Sequence, residues 1–130
     1  MYKRQLDTDF LIHLFRGAED AVSKSKELEV EDLAITSISA FEMLFQAYWA
    51  EREKEIMQTK RFLFGYDVLA LNAKSADVAG KSYTDILRKG KDIGLKDLFI
   101  AAIALTYDAS ILTRNVKHFK NVEALKVEEW

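Results

Sequence analysis

The chain has 130 residues, 49% hydrophobic and 31% charged, with five glycines and neither proline nor cysteine. That is enough chain for one buried core, read as a single domain over residues 1–130. The missing cysteines exclude a disulfide scaffold, a thiolate metal site and a thiol nucleophile. A net charge of −2 argues against a protein that coats nucleic acid nonspecifically, and the longest apolar run, Leu98 to Leu105, is far short of the ~20 residues of a membrane span. The N-terminus runs from basic to acidic without an apolar stretch of secretory length, so the expectation is a soluble, cytoplasmic protein.

In chain order, Tyr2 to Leu6 predicts a short and unusually polar strand, and Phe10, Leu11, Leu14 and Phe15 at helical spacing predict a helix over Thr8–Arg16, stopped by Gly17. A polar helix follows over Glu19–Leu28, then a buried strand over Leu33–Thr36. Ser37 or Ser39 can cap a helix reaching about Arg52, and Glu53–Phe64 continues helical up to Gly65. Asp67–Leu71 reads as a strand and Ala73–Lys89 as an amphipathic helix. Gly90 and Gly94 bracket a loop. Lys96–Tyr107 is a helix apolar nearly all round, which predicts burial on most sides. Ser110–Thr113 is a strand, and Ala124–Glu128 a last one after a loop. Strands alternating with helices imply parallel strands joined by crossovers: an α/β, three-layer α/β/α domain with a central, mostly parallel sheet of four to five strands. Ligand sites in such sheets lie beyond the carboxyl ends of the strands.

Three acids sit badly for plain surface charges. Asp7 follows the first strand directly, Glu42 borders the apolar stripe of its helix, and Asp97 opens the most buried helix. Asp7 and Asp97 could each be an ordinary N-cap and Glu42 a side chain leaving the stripe edge, but burying several carboxylates together is costly unless a cation compensates them. Carboxylate oxygens suit Mg²⁺ or Mn²⁺, and the chemistry that needs this arrangement is phosphodiester hydrolysis by metal-activated water.

Four segments carry a family resemblance. Leu6-Asp-Thr-Asp-Phe-Leu-Ile12, Thr36-Ser-Ile-Ser-Ala-Phe-Glu-Met-Leu44, Ile93-Gly-Leu-Lys-Asp-Leu-Phe-Ile-Ala-Ala-Ile-Ala104 and Leu112-Thr-Arg-Asn-Val-Lys-His-Phe119 resemble, in order and spacing, the four blocks of PIN-domain nucleases, most like the VapC toxins of toxin–antitoxin pairs. The resemblance implies a PIN-like fold and a Mg²⁺- or Mn²⁺-dependent endoribonuclease, with Asp7, Glu42 and Asp97 as metal-binding acids. The fourth block often carries another acid, which here is Asn115, so a second metal lacks one charged ligand. Thr8, Ser37 and Thr113 match polar positions at the site rim that position water or phosphate. The polar Lys3-Arg-Gln5 departs from the family's apolar first strand and suggests an edge-exposed or frayed start. Two other readings stay open: an RNA-processing PIN nuclease without an antitoxin, and a catalytically weak domain that binds RNA or protein.

Other features point elsewhere. Gly80-Lys-Ser82 lacks the upstream glycine of a phosphate loop, since Ser75 stands there. His13 and His118 have no partner at metal-binding spacing and read as ordinary side chains. Asp9 reads as a first-turn acid favoured by the helix dipole and Asp92 as a turn residue. Arg88 to Lys96 holds four positive charges and one negative, read as a solvated helix end and loop. Phe45, Tyr48, Trp49, Ile56, Met57, Phe62 and Phe64 are more bulk than one helix pair can bury, which points to a helical hairpin forming a homodimer contact or a groove for a partner helix. The resemblance to VapC-like proteins favours this, with a second copy and an antitoxin as the partners.

Overall fold

Successive strand residues point to opposite faces, so a sheet covered on both sides needs an apolar group at nearly every position. The computed structural model, which describes residues 1–130, shows this in β2 (Leu33–Thr36) and β4 (Ser110–Thr113). Leu33 and Ile35 on β2 and Leu112 on β4 face one core, which holds Phe10, Leu11, Met43 and Leu63. Ile111 faces the opposite core, with Ile86, Leu98, Ile100 and Phe119. With β1 (Arg4–Leu6), β3 (Asp67–Leu69) and β5 (Val127–Glu129) they form a five-stranded, wholly parallel sheet in the order β3-β2-β1-β4-β5. The chain runs outward from β1 to β3, then returns to build β4 and β5 on the other side of β1. The strand order therefore reverses at β1, where a parallel sheet opens a crevice at its carboxyl edge.

The three-layer architecture is as expected, but the place of β1 is not. The polar first strand is neither frayed nor at an edge: it is the central strand, paired with β2 on one side and β4 on the other. Its polarity is absorbed by distant partners. Arg4 Nε lies 2.5 Å from Glu128 Oε2. Gln5 is fully buried and donates from Nε2 to the Ile100 carbonyl at 2.8 Å, while its Oε1 has no partner. A buried unpaired oxygen costs about 1–3 kcal/mol, and Ile100 remains inside a helix without the glutamine. Gln5→Met is thus expected to raise the urea unfolding free energy by about 1 kcal/mol; a loss of stability would show that the Ile100 bond outweighs the orphaned oxygen.

The helices are α1 (Thr8–Phe15), α2 (Glu19–Ser25), α3 (Ser37–Trp49), α4 (Glu53–Leu63), α5 (Ala73–Arg88), α6 (Leu95–Thr106) and α7 (Val116–Phe119). Gly17, at φ +75°, makes the left-handed turn that ends the α1 region. The cap of α3 is Thr36, whose hydroxyl accepts from the Ser39 N–H at 3.0 Å, in place of either expected serine. Gly80-Lys-Ser82 lies inside α5, and Asp92 makes a turn by accepting from the Gly94 N–H at 2.8 Å. The short α7 falls where a loop was expected. In α6, Leu98 and Ile100 to Ala104 are all buried, which explains its apolar circumference. No helix is long and apolar enough to cross a membrane.

Candidate active site

Asp7, Ser37 and Thr113 follow or end the three adjacent strands β1, β2 and β4 at their carboxyl edge. Asp7 occupies the N-cap position of α1 but makes no cap bond with its side chain. Its carboxylate turns instead to β4, where Oδ2 accepts from Thr113 Oγ1 at 2.8 Å. Asp7 is only 5% exposed and has no ion pair. Burial chiefly, then the charges of Asp9 and Asp97, push its carboxyl up to about 7, against the hydrogen bonds from Thr113 and the Thr8 backbone.

Glu42 reaches the same edge from the second turn of α3. Thr8 Oγ1 lies 2.8 Å from both Glu42 Oε1 and Ser39 Oγ, and its single proton goes to the carboxylate. The other oxygen of Glu42, Oε2, lies 3.3 Å from Lys96 Nζ. Asp97 is the third residue of α6 and not its cap, a place held by Gly94. Burial raises its carboxyl above the usual range and Glu42 adds to this, while His118 works in the opposite direction. The three acids therefore feel one another's charge: Asp97 acts on Asp7, and Glu42 on Asp97.

The remaining expected residues divide. Thr8 and Thr113 each hold one acid by hydrogen bond. Asn115 is exposed at the start of α7; its N–H donates to Thr113 Oγ1 at 2.9 Å, and its side chain does not cap the helix. Ser37 lines an apolar recess with Phe41, Leu44 and Phe45, and the serine that the fold brings to Thr8 is Ser39, fully buried. Asp9 and His118 have roles that their spacing did not reveal. Asp9 Oδ2 accepts from the Arg114 N–H at 3.0 Å and lies 3.2 Å from Thr113 Oγ1, while its Oδ1 lies 3.4 Å from the Trp130 indole nitrogen. Arg114 stacks over the Trp130 ring at 3.6 Å and pairs with Asp20. His118 Nε2 lies 2.8 Å from Asp97 Oδ2. Nothing local hinted at either network, because the partners of Asp9 and His118 lie far away in sequence.

No three carboxylates or histidines converge closely enough to enclose a cation by themselves. The donor set is nonetheless one of hard oxygens open to solvent on one side, and it includes a buried carboxylate with no basic side chain paired to it. Mg²⁺ commonly takes one or two carboxylates and keeps several waters, so the residues present fit such an ion.

Residues 5–125 match the family model of the PIN domain. The chain belongs to the PIN-domain family. Within it, the chain is similar to ribonuclease VapC2 of Rickettsia felis, at 30% identity over 96% of both chains, and to the tRNA(fMet)-specific endonuclease VapC of Shigella flexneri, at 27% identity over 100% of this chain and 99% of that one. Among solved structures it superposes on the VapBC2 complex of Rickettsia felis bound to a promoter DNA fragment, with a TM-score of 0.87, 27% identity and 98% coverage of each chain. VapBC-1 of nontypeable Haemophilus influenzae gives 0.86 at 25% identity, covering 98% of this chain and 97% of that one.

Proposed function

We propose that this protein is a divalent-metal-dependent endoribonuclease and the toxin of a VapBC-type toxin–antitoxin pair, acting in the cytoplasm on RNA phosphodiesters. One observation carries the reading: Asp7, Glu42 and Asp97 gather where the strand order reverses, in a chain whose relatives are VapC ribonucleases. These three acids would hold Mg²⁺ or Mn²⁺. When bound, the ion supplies the charge that acidifies a water and offsets the charge developing on phosphate. Thr113 fixes the Asp7 carboxylate, and Thr8 fixes that of Glu42. Lys96 brings a positive charge to Glu42 Oε2, at the rim of the site. Thr113 and Asn115 stand at the crevice as positioning groups for water or phosphate, while Ser37, expected in the same role, lines the apolar recess and Ser39 takes its place beside Thr8. The test is cleavage of single-stranded RNA with Mn²⁺ or Mg²⁺ and again with EDTA. Cleavage only with metal supports the reading, whereas RNA binding without cleavage in either metal leaves a binding module.

The same reading assigns the aromatic face of α3 and α4 to a second copy or the antitoxin. Phe41, Phe45, Tyr48 and Phe64 are exposed around an apolar recess of about 520 Å³, and Trp49, 79% exposed, stands beside Phe45. Phe62 differs from its expected place: it is half-buried, 5.2 Å from the Phe15 ring and 5.8 Å from Tyr66. Trp49→Ala is expected to lower association, measured by sedimentation, with a change in thermal midpoint under about 2 °C. Phe62→Ala is expected to cost stability, by about 2–3 kcal/mol for a half-buried ring. Equal effects of both variants on association and on stability would remove the distinction.

Asn115→Asp would add a fourth carboxylate to the site. More anionic ligands meeting one cation raise its affinity, so the variant is expected to show a larger Mn²⁺-induced thermal shift than the wild type. An equal or smaller shift would place Asn115 away from the ion.

A further inference from the structure

Asp97 is not oriented by its own helix. Gly94 holds the cap position of α6, at φ +80°, and has no side chain to direct the first turn. The neighbour that meets the Asp97 carboxylate comes from α7: His118 Nε2 lies 2.8 Å from Asp97 Oδ2 and donates to the Ile93 carbonyl, also at 2.8 Å. The one Nε2 proton goes to the Ile93 carbonyl, and the Asp97 carboxylate is a close polar contact beside it. One nitrogen therefore ties together the acid and the loop that leads into its helix.

His118 is itself held from two directions. The N–H groups of His118 and Phe119 both donate to the Asn115 carbonyl, at 3.2 Å, and the Asn115 N–H is held by Thr113 Oγ1 at 2.9 Å. Phe119 is fully buried in the core beneath α6 and meets the His118 ring edge-on at 5.9 Å. The imidazole thus stands on a short helix anchored at one end to the Asp7–Thr113 pair and at the other to the hydrophobic core.

We propose that His118 is a positioning residue of the nuclease site: it fixes the Asp97 carboxylate and the Ile93–Gly94 approach to α6, leaving Asp97 Oδ1 for the metal. This rests on the nuclease reading above. It gives the fourth sequence block a part in the site that does not depend on an acid at residue 115. A neighbouring group that orients a ligating carboxylate is worth about 10–100-fold in metal affinity or activity when lost.

The experiment compares wild type, His118→Ala and His118→Gln. Mn²⁺ binding to the metal-free proteins is read by titration calorimetry, thermal midpoints are taken in EDTA, and RNA cleavage is resolved into kcat and KM. His118→Ala is expected to weaken Mn²⁺ binding about tenfold or more and to lower kcat with KM nearly unchanged. His118→Gln, which keeps a nitrogen donor of similar reach, is expected to recover most of both. Wild-type Mn²⁺ affinity in His118→Ala overturns the proposal even if the variant melts earlier, because a purely structural role would move only the midpoint. Failure of glutamine to restore what alanine loses also overturns it. Should alanine fail to fold, the glutamine variant decides alone: Mn²⁺ affinity within about threefold of wild type supports the proposal, and a larger loss overturns it. If the wild type binds Mn²⁺ but cleaves no RNA, the nuclease reading fails while the calorimetry still tests His118.

Discussion

Asp97→Asn, Glu42→Gln and Asp7→Asn are each expected to reduce metal-dependent RNA cleavage by about two orders of magnitude or more, the scale on which one electrostatic partner of a charged transition state counts. The substitutions keep shape and remove charge. None is expected to unfold the protein, because the carboxylates repel one another: Asp97 raises the Asp7 carboxyl and Glu42 raises that of Asp97. Cleavage rates with saturating Mn²⁺, beside circular dichroism of each variant, make the check. A variant that cleaves at the wild-type rate removes its residue from the site.

The second large effect is on stability and depends on pH. The Asp7 carboxyl is raised from 3.8 to about 7 on folding. Between those values the folded chain holds a proton that the unfolded chain has lost, so stability falls as pH rises from about 4 and the loss is complete above about 7. Between pH 5 and 8 this amounts to about 2–3 kcal/mol at ~1.4 kcal/mol per pKa unit, or roughly 10 °C in the thermal midpoint of a chain this size. In EDTA, the difference between Asp7→Asn and wild type is expected to widen by that amount from pH 5 to pH 8, in favour of the variant. A difference that does not change with pH would mean that Asp7 titrates as an ordinary carboxyl. Divalent ions are expected to restore the wild type at pH 8 more than at pH 5, since the ionised carboxylate is the form that binds them.

What the residues revealed in advance depended on whether their partners were near in sequence. The helices from α1 to α6 carry their own periodicity, and the buried strands β2 and β4 carry apolar runs, so their existence and order were legible. Asp7, Glu42 and Asp97 stood out because each breaks a local expectation: an acid at a strand end, on an apolar stripe, or at the mouth of a buried helix. β1 misled because the partners of its polar residues are far away, Glu128 for Arg4 and Ile100 for the amide nitrogen of Gln5. No local pattern marks a buried strand whose partners lie about a hundred residues on. The four residues of α7 are too few for a helical period to register. His118 was unreadable for the same reason as β1, since its meeting with Asp97 exists only after the crossovers place α7 beside the start of α6.

The sheet order also sets when the acids can first meet during synthesis. The hydroxyl that holds Asp7 is that of Thr113, made 106 positions later. At about 5–20 residues per second, roughly 5–20 s separate the two. During that interval β1 can pair only with β2, since β4 does not yet exist, and the crevice has one wall. Truncated or stalled chains that end before β4 therefore carry Asp7 and Glu42 without the strand that closes the site. A chain of this topology that stops before β4 is expected to lack the nuclease site proposed above, because Asp7 has no Thr113 hydroxyl to hold its carboxylate.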